Sequence, residues 1–338
     1  MATRGYNSYR GRVSAGKKLL IAALVLLLLA AAAFLYCQNY LVYDDEGNVH
    51  LELPWSKADT VEQPEENPIS PDDVQLKREE PKRPGIAALH ARELPFARLK
   101  QDTADLKDEK DALVVNIKRY DGAIAYDTAL ELPEGVKEGK EATLTNLKTL
   151  LQGEAYTVAR ISSLADTAYA HAQMEQAGLL RDDKGDVWYD ANGECWLDPT
   201  KEDTLSYITA LCKECVTLGF DEIMLDYFCY PTSGNVSRIF YGENTDKTAT
   251  LLDFSQKLRD ALPRGTVLSV ALHQPLQDDS RSGVTKELLQ AFDRVYADSG
   301  TVEVSALEKA LPASYVVDGR IVPMVRQAPQ EGSYMLIG

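Results

Sequence analysis

Hydrophobic positions follow three regimes along the chain. Residues 19–37 (LLIAALVLLLLAAAAFLYC) form one uninterrupted apolar run. About 20 such residues at 1.5 Å each cross the hydrocarbon layer of a bilayer, so the run predicts a single transmembrane helix. Residues 38–84 are rich in Pro, Glu and Asp with no sustained period, which predicts an extended, disordered linker. Within it a short hairpin is expected around residues 43–53, turning at Glu46-Gly47. From Gly85 onward, runs of β-branched and aliphatic residues alternate with longer segments of helical period. The predicted strands are 85–89, 112–118, 156–161, 220–226, 267–272, 294–297, 321–325 and 334–337. The predicted helices are 97–106, 142–152, 167–176, 201–218, 248–262, 285–292 and 302–311. Eight such alternations over about 250 residues predict an α/β fold, a (β/α)8 TIM barrel. An open doubly wound sheet is the alternative, but no GxGxxG follows the first strand. The two longest connections precede the third and fourth strands, and in a barrel such loops wall the C-terminal face where ligand sites form.

Charge orients this arrangement. Arg4, Arg10, Arg12, Lys17 and Lys18 precede the apolar run with no acid among them, and Asp44, Asp45 and Glu46 follow it. The positive-inside rule then keeps the N-terminus cytoplasmic. The expected organisation is a basic cytoplasmic tail (1–18), a signal-anchor helix (19–37), an acidic linker (38–84) and an extracellular barrel (85–338) on a single-pass cell-membrane protein. A cleaved signal peptide is the rival, since Ala30 to Ala33 offer a small-residue cleavage site. The bulky Tyr36 before Cys37 does not suit a lipoprotein site. The formal charge is −16, from 36 basic and 52 acidic residues. With the five basic residues of the tail set aside, 31 remain against 52, near −21 on the exported part. That balance disfavours nucleic acid and strongly anionic polymers. Five scattered cysteines and four scattered histidines show no metal-ligand spacing, and no cofactor motif is present. His50 falls in the linker, His171 on a helix, and His90 and His273 are expected to end the first and fifth strands.

The segment with the most chemical content is GFDEIMLDYFCYP, residues 219–231. Its apolar strand ends in Asp226-Tyr227, which places a carboxylate and a phenol at the barrel mouth. Asp221 and Glu222 open the same strand and so belong to the opposite, stability face. Together with TVARISSLAD (157–166), VWYD (187–190), WLDP (196–199) and NIKRYDGAIAYD (116–127), this segment resembles a family of exported bacterial (β/α)8 proteins similar to glycoside hydrolases. Their fourth strand reads like GFDEIQFDYxRFP, and the likeness runs from about Gly85 to the end of the sequence. The resemblance implies a polysaccharide-processing barrel with Asp226 at its centre.

Cleaving an acetal needs an acid on the leaving oxygen and a second carboxylate, usually about 5–10 Å away. Asp298, after the sixth strand, is the best-placed partner. Asp121, Asp127 and Asp166 read as loop carboxylates, and Asp198 as an N-cap of the helix from 201. Tyr120, Tyr126, Tyr227, Phe228, Tyr230, Trp188 and Trp196 supply rings for a sugar face, or for the core. Arg160, His273 and Arg326 can orient a ligand, and Arg160 or Lys118 can neutralise Asp226. Cys212 and Cys215 sit one helical turn apart on a buried face, and Cys195 and Cys229 are candidates to pair near the mouth. The sequence departs from the family at Asn116, Cys229 and Ala271, where family members carry Asp, Arg and Asp, and at Ala297-Asp298. Two functions therefore stand: glycoside hydrolysis of a polysaccharide or peptidoglycan-type glycan, or non-catalytic glycan binding and envelope scaffolding on the same fold.

Overall fold

The computed structural model describes residues 41–43, 49–51, 89–94, 111–180, 185–241, 246–276 and 281–337. The chain divides into two units, Met1–Gln75 and Leu76–Gly338. In the first, β1 (Leu41–Tyr43) pairs antiparallel with β2 (Val49–Leu51), the expected hairpin with His50 on its second strand. The predicted tail, transmembrane run and helix 97–106 lie outside the described residues, as does the linker apart from this hairpin. Among the described residues no helix is long and apolar enough to cross a membrane.

The second unit is a closed barrel of eight parallel strands, the TIM-barrel fold, in the order β10-β3-β4-β5-β6-β7-β8-β9. The strands are β3 (His90–Leu94), β4 (Asp111–Lys118), β5 (Tyr156–Ser162), β6 (Glu222–Asp226), β7 (Val267–Leu272), β8 (Arg294–Asp298), β9 (Ile321–Val325) and β10 (Tyr334–Leu336). The first differs from expectation: it begins five residues later than the apolar run GIAAL, so His90 opens the strand instead of ending it. There the ring stacks on Tyr334 at 4.7 Å, at the N-terminal face and away from the mouth. Outside the strands run α1 (Glu141–Leu151), α2 (Thr167–Ala172), α3 (Glu202–Leu218), α4 (Lys247–Ala261), α5 (Lys286–Leu289), α6 (Val304–Ala310) and α7 (Ala313–Val317). The single helix expected over 302–311 is two short ones, because Pro312 ends the first and caps the second.

Side chains alternate between two cores, as a strand period of two requires. Ala91, Ala112, Val114, Val158, Met224, Ala271, Tyr296, Val322, Met324 and Met335 form a cluster with no helical member, the barrel interior. Their neighbours, among them Leu113, Val115, Ala159, Leu225, Val270 and Val295, join the larger cluster with the helices. In α3 the residues Ile208, Leu211, Cys212 and Cys215 recur on one buried face, and Gly219, at φ 112°, closes the helix in the left-handed conformation that favours glycine. Each such Leu or Ile contributes about 1.5–3 kcal/mol by leaving water. The N-cap of α3 is Lys201, not Asp198. Asp198 lies three residues earlier and closes a turn, accepting from the Thr200 backbone N–H at 2.9 Å and its hydroxyl at 2.7 Å.

The floor of the barrel is a satisfied polar knot. Glu222 is fully buried and accepts from the hydroxyls of Tyr156 and Tyr296, each at 2.9 Å, and from Arg294 Nε at 3.2 Å. Asp221 accepts from the Thr157 backbone at 2.8 Å and hydroxyl at 3.0 Å. Both carboxylates thus fasten strands at the face opposite the site.

Candidate active site

Continuing each inward-facing row by two residues brings a polar ring to the C-terminal mouth. Glu93 follows Ala91, Asn116 follows Val114, Arg160 follows Val158, Asp226 follows Met224, His273 follows Ala271 and Asp298 follows Tyr296. Five of these six join in one alternating chain of charge. Glu93 contacts Arg160 Nη1 at 3.4 Å, and Arg160 Nε and Nη2 each donate to Asp226 Oδ2 at 2.7 Å. Asp226 Oδ1 meets His273 Nε2 at 2.6 Å, and His273 Nδ1 lies 3.6 Å from Asp298 Oδ2.

Asp226 is the buried centre of this chain, at 3% exposure, whereas the side chains of His273 and Asp298 are 22% and 27% exposed. The Tyr227 backbone N–H adds a second bond to Oδ1 at 2.9 Å. Both carboxylate oxygens therefore accept twice. Burial pushes the Asp226 carboxyl up, but the Arg160 guanidinium and the His273 ring outweigh it and hold the group at about 2. For His273, burial acts downward, and Asp226 overcomes it to raise the imidazole above its ordinary 6.5.

An aromatic wall stands beside this chain. Tyr227, at φ 50°, is the one described non-glycine residue in the left-handed region, a conformation that surrounding contacts must hold. Its ring stacks on His273 at 4.8 Å and 18°, leans on Tyr120 at 4.5 Å, and meets the edge of Trp196 at 6.2 Å. Tyr120 and Trp196 are aimed by one residue, Asp190, which accepts from the Tyr120 hydroxyl and, at 3.2 Å, from Trp196 Nε1. Asp190 is itself fixed by the backbone N–H groups of Asn192 and Glu194 at 2.8 and 3.0 Å. A cavity of about 160 Å³ opens against Tyr227, His273 and Trp196, with Phe228, Leu272 and Val284 forming an apolar wall.

Of the residues singled out in the sequence, Asp226, Asp298, Arg160, His273, Tyr120, Tyr227, Phe228 and Trp196 converge here. Trp188 does not: it is 2% exposed, packs in the core and donates through Nε1 to the Asn235 carbonyl at 2.9 Å. Tyr230 is buried too, with its ring edge on Tyr241 at 5.5 Å and Lys247 Nζ 5.2 Å from its centre. Tyr126 is buried and donates to Glu214 at 2.5 Å. Arg326 follows β9 at the mouth and is exposed. Lys118 pairs with Asp166 at 2.8 Å, both fully buried, and not with Asp226. Asp166 is also the N-cap of α2, accepting from the Tyr169 N–H at 2.7 Å. Asp121 and Asp127 pair with Arg119 and Lys137 at 2.7 and 2.6 Å. Cys195 and Cys229 are free thiols, not a pair. Among the described residues no group of His, Cys, Asp and Glu is arranged to hold a metal ion.

Two contributors escaped the sequence reading. Glu93 was hidden by the misplaced first strand. Asp190 carried a usable signal, the turn-forming Asp-Ala-Asn-Gly after an aromatic pair.

Fold and site together define a parallel (β/α)8 barrel with a buried carboxylate, a guanidinium and an imidazole at its C-terminal mouth. The profile of the family described as "Putative glycosyl hydrolase domain" matches residues 97–291, more than half of the sequence, and the chain belongs to that family. No curated protein matches it. Among solved structures, a hypothetical protein from Ruminiclostridium thermocellum is 28% identical over 54% of this chain and 96% of that one, with a TM-score of 0.45. The glycoside hydrolase domain of PgaB (BpsB) from Bordetella bronchiseptica is 12% identical over 75% and 94%, with a TM-score of 0.48. A chitinase from Rhizomucor miehei is 14% identical over 70% and 68%, with a TM-score of 0.41. The family assignment rests on the profile and not on these likenesses.

Proposed function

We propose that this protein is a membrane-anchored, outward-facing glycoside hydrolase that acts on a polysaccharide or peptidoglycan-type glycan at the barrel mouth, with Asp226 and Asp298 as its two carboxylates. The observation that carries the proposal is the chain Asp226–His273–Asp298. One imidazole bridges the two carboxyl groups, 2.6 Å from Asp226 Oδ1 and 3.6 Å from Asp298 Oδ2, which keeps the contacting oxygens within about 10 Å of each other, as glycoside cleavage uses. Asp226, held ionised, offers fixed negative charge to the cationic anomeric centre of the transition state. Asp298 and His273 stand at the exposed rim where a glycosidic oxygen can be met. Tyr227 and Trp196 present rings to sugar C–H faces, Arg160 keeps Asp226 charged, and Arg326, exposed after β9, is a further candidate for substrate contact.

A glycan array followed by product analysis tests this reading. Wild-type protein should release product from at least one glycan, and Asp226→Asn should abolish release. Full activity in Asp226→Asn would refute the assignment. The anchor and orientation, supported by the 19–37 run and the basic tail, predict that the full chain resists carbonate extraction from membranes and that externally added protease degrades its barrel. Release by carbonate, or protection from protease, would contradict them.

A second reading has its own support. All four acceptor positions of Asp226 are occupied, and Asn116 and Ala271 stand at inward positions where the family carries Asp. A non-catalytic glycan-binding or envelope-scaffolding barrel fits those facts. Binding on the array with no product from any ligand would select it.

A further inference from the structure

We infer that His273 carries the acid–base proton of this site, held at Nε2 by Asp226, whose charge stays fixed, and meeting substrate through its Nδ1 edge beside Asp298. The inference rests on the hydrolytic reading and gives its proton a carrier. A hydrolase at neutral pH needs a group that can give or take a proton there. Asp226 does not carry the proton: it is buried, and each of its oxygens already accepts two hydrogen bonds. Arg160 stays charged throughout. His273 belongs to the one side-chain type that ordinarily titrates near neutrality.

The geometry is that of an anchored imidazole. The 2.6 Å contact to Asp226 Oδ1 fixes a proton on Nε2, so the working nitrogen is Nδ1. The Tyr227 ring stacked at 4.8 Å blocks one face, and the Thr301 hydroxyl donates to the His273 carbonyl at 2.7 Å, holding the backbone. Nδ1 faces Asp298 at 3.6 Å, a distance long for a hydrogen bond, so its proton is held by charge and remains transferable. The groups facing the ring are Asp226 and Tyr227 from the end of β6, Asp298 from β8 and Arg160 from β5.

The step balances on one residue. The Nδ1–H of imidazolium protonates the glycosidic oxygen, and the C–O bond breaks with its electron pair on that oxygen. Water then adds to the anomeric carbon through its oxygen, and neutral Nδ1 takes the proton that water loses. Asp298 steadies the cation at both ends of the cycle.

Two measurements decide it. The first needs no substrate: imidazole resonances of the full chain are titrated, with His273 assigned by its loss in His273→Gln. Its midpoint should lie above 6.5 in wild type and fall in both Asp226→Asn and Asp298→Asn, further in the former. Asp298→Asn is at the rim and serves if Asp226→Asn fails to fold. A midpoint indifferent to both substitutions overturns the inference. The second measurement uses a glycan that wild type cleaves. His273→Gln should lower kcat about 100-fold or more with KM little changed. The alkaline limb of wild-type kcat/KM should coincide with the His273 midpoint, while His171→Gln leaves the profile unchanged. Turnover that survives His273→Gln overturns this role alone, whereas a wild type that cleaves nothing overturns the hydrolytic reading and this role with it.

Discussion

Asp226 shows how one residue couples folding to the site. Its carboxyl titrates near 3.8 when free and is held at about 2 in the fold, so the stabilisation is complete above 3.8 and is lost as pH falls toward 2. It amounts to about 2 kcal/mol. His273 works in the opposite direction: raised above 6.5, it contributes fully below 6.5 and loses its contribution as pH rises through the folded value. Chemical denaturation across pH should therefore give a plateau between about 4 and 6.5 with a fall on either side. In Asp226→Asn the acid-side fall should be smaller, and the protein should lose about 2 kcal/mol or more at neutral pH because buried Arg160 then keeps only the longer contact to Glu93. An unchanged acid limb would show that the pair contributes nothing to folding. Of these residues, those at strand ends were legible in the sequence because position in a barrel strand dictates face and end. Trp188 and Tyr230 were not, since a ring in a loop buries as readily as it meets a ligand. Only the Asn235 carbonyl and the Tyr241 edge show which occurred.

Among elements, β4 and β5 are tied to the loop that carries the aromatic wall by Lys118 and Asp166. Burial pulls the Lys118 ammonium down, and Asp166 opposes that pull. Lys118→Met should destabilise the barrel by about 3–5 kcal/mol, because Asp166 is then a buried, unpaired carboxylate. Lys118→Met combined with Asp166→Asn should cost less than the sum of the singles in urea titrations. Strict additivity would mean that the two do not interact. Gly122, at φ 91°, leaves room for the same pair: a Cβ there would lie 1.9 Å from Asp166 Oδ1. Gly122→Ala should thus lower the melting temperature more than a surface Gly→Ala. Strands β4 to β10 were readable within a residue or two from their alternating apolar rows and flanking turns. β3 was not, because HAREL spends three of its five positions on polar side chains that serve the floor and the mouth. The apolar run just before it offered a better strand pattern than the strand itself.

At the scale of the whole molecule, closure falls to β10, three residues that pair with β9 on one side and with β3 on the other. The Leu89 N–H donates to the Ser333 hydroxyl across 244 positions of sequence. Deleting residues 333–338 should leave two open edges and give aggregated protein by light scattering. A monodisperse, folded product would show that seven strands suffice.

The same seam sets a clock on biogenesis. A ribosome adds roughly 5–20 residues per second, so β3 waits on the order of ten seconds or more for its partner. Throughout that interval the nascent sheet has an unpaired flank, which makes it a client for holdase chaperones. The five residues of the Asp226 cluster all stand on or beside strands made before β10, so the site is complete in sequence while the barrel is still open.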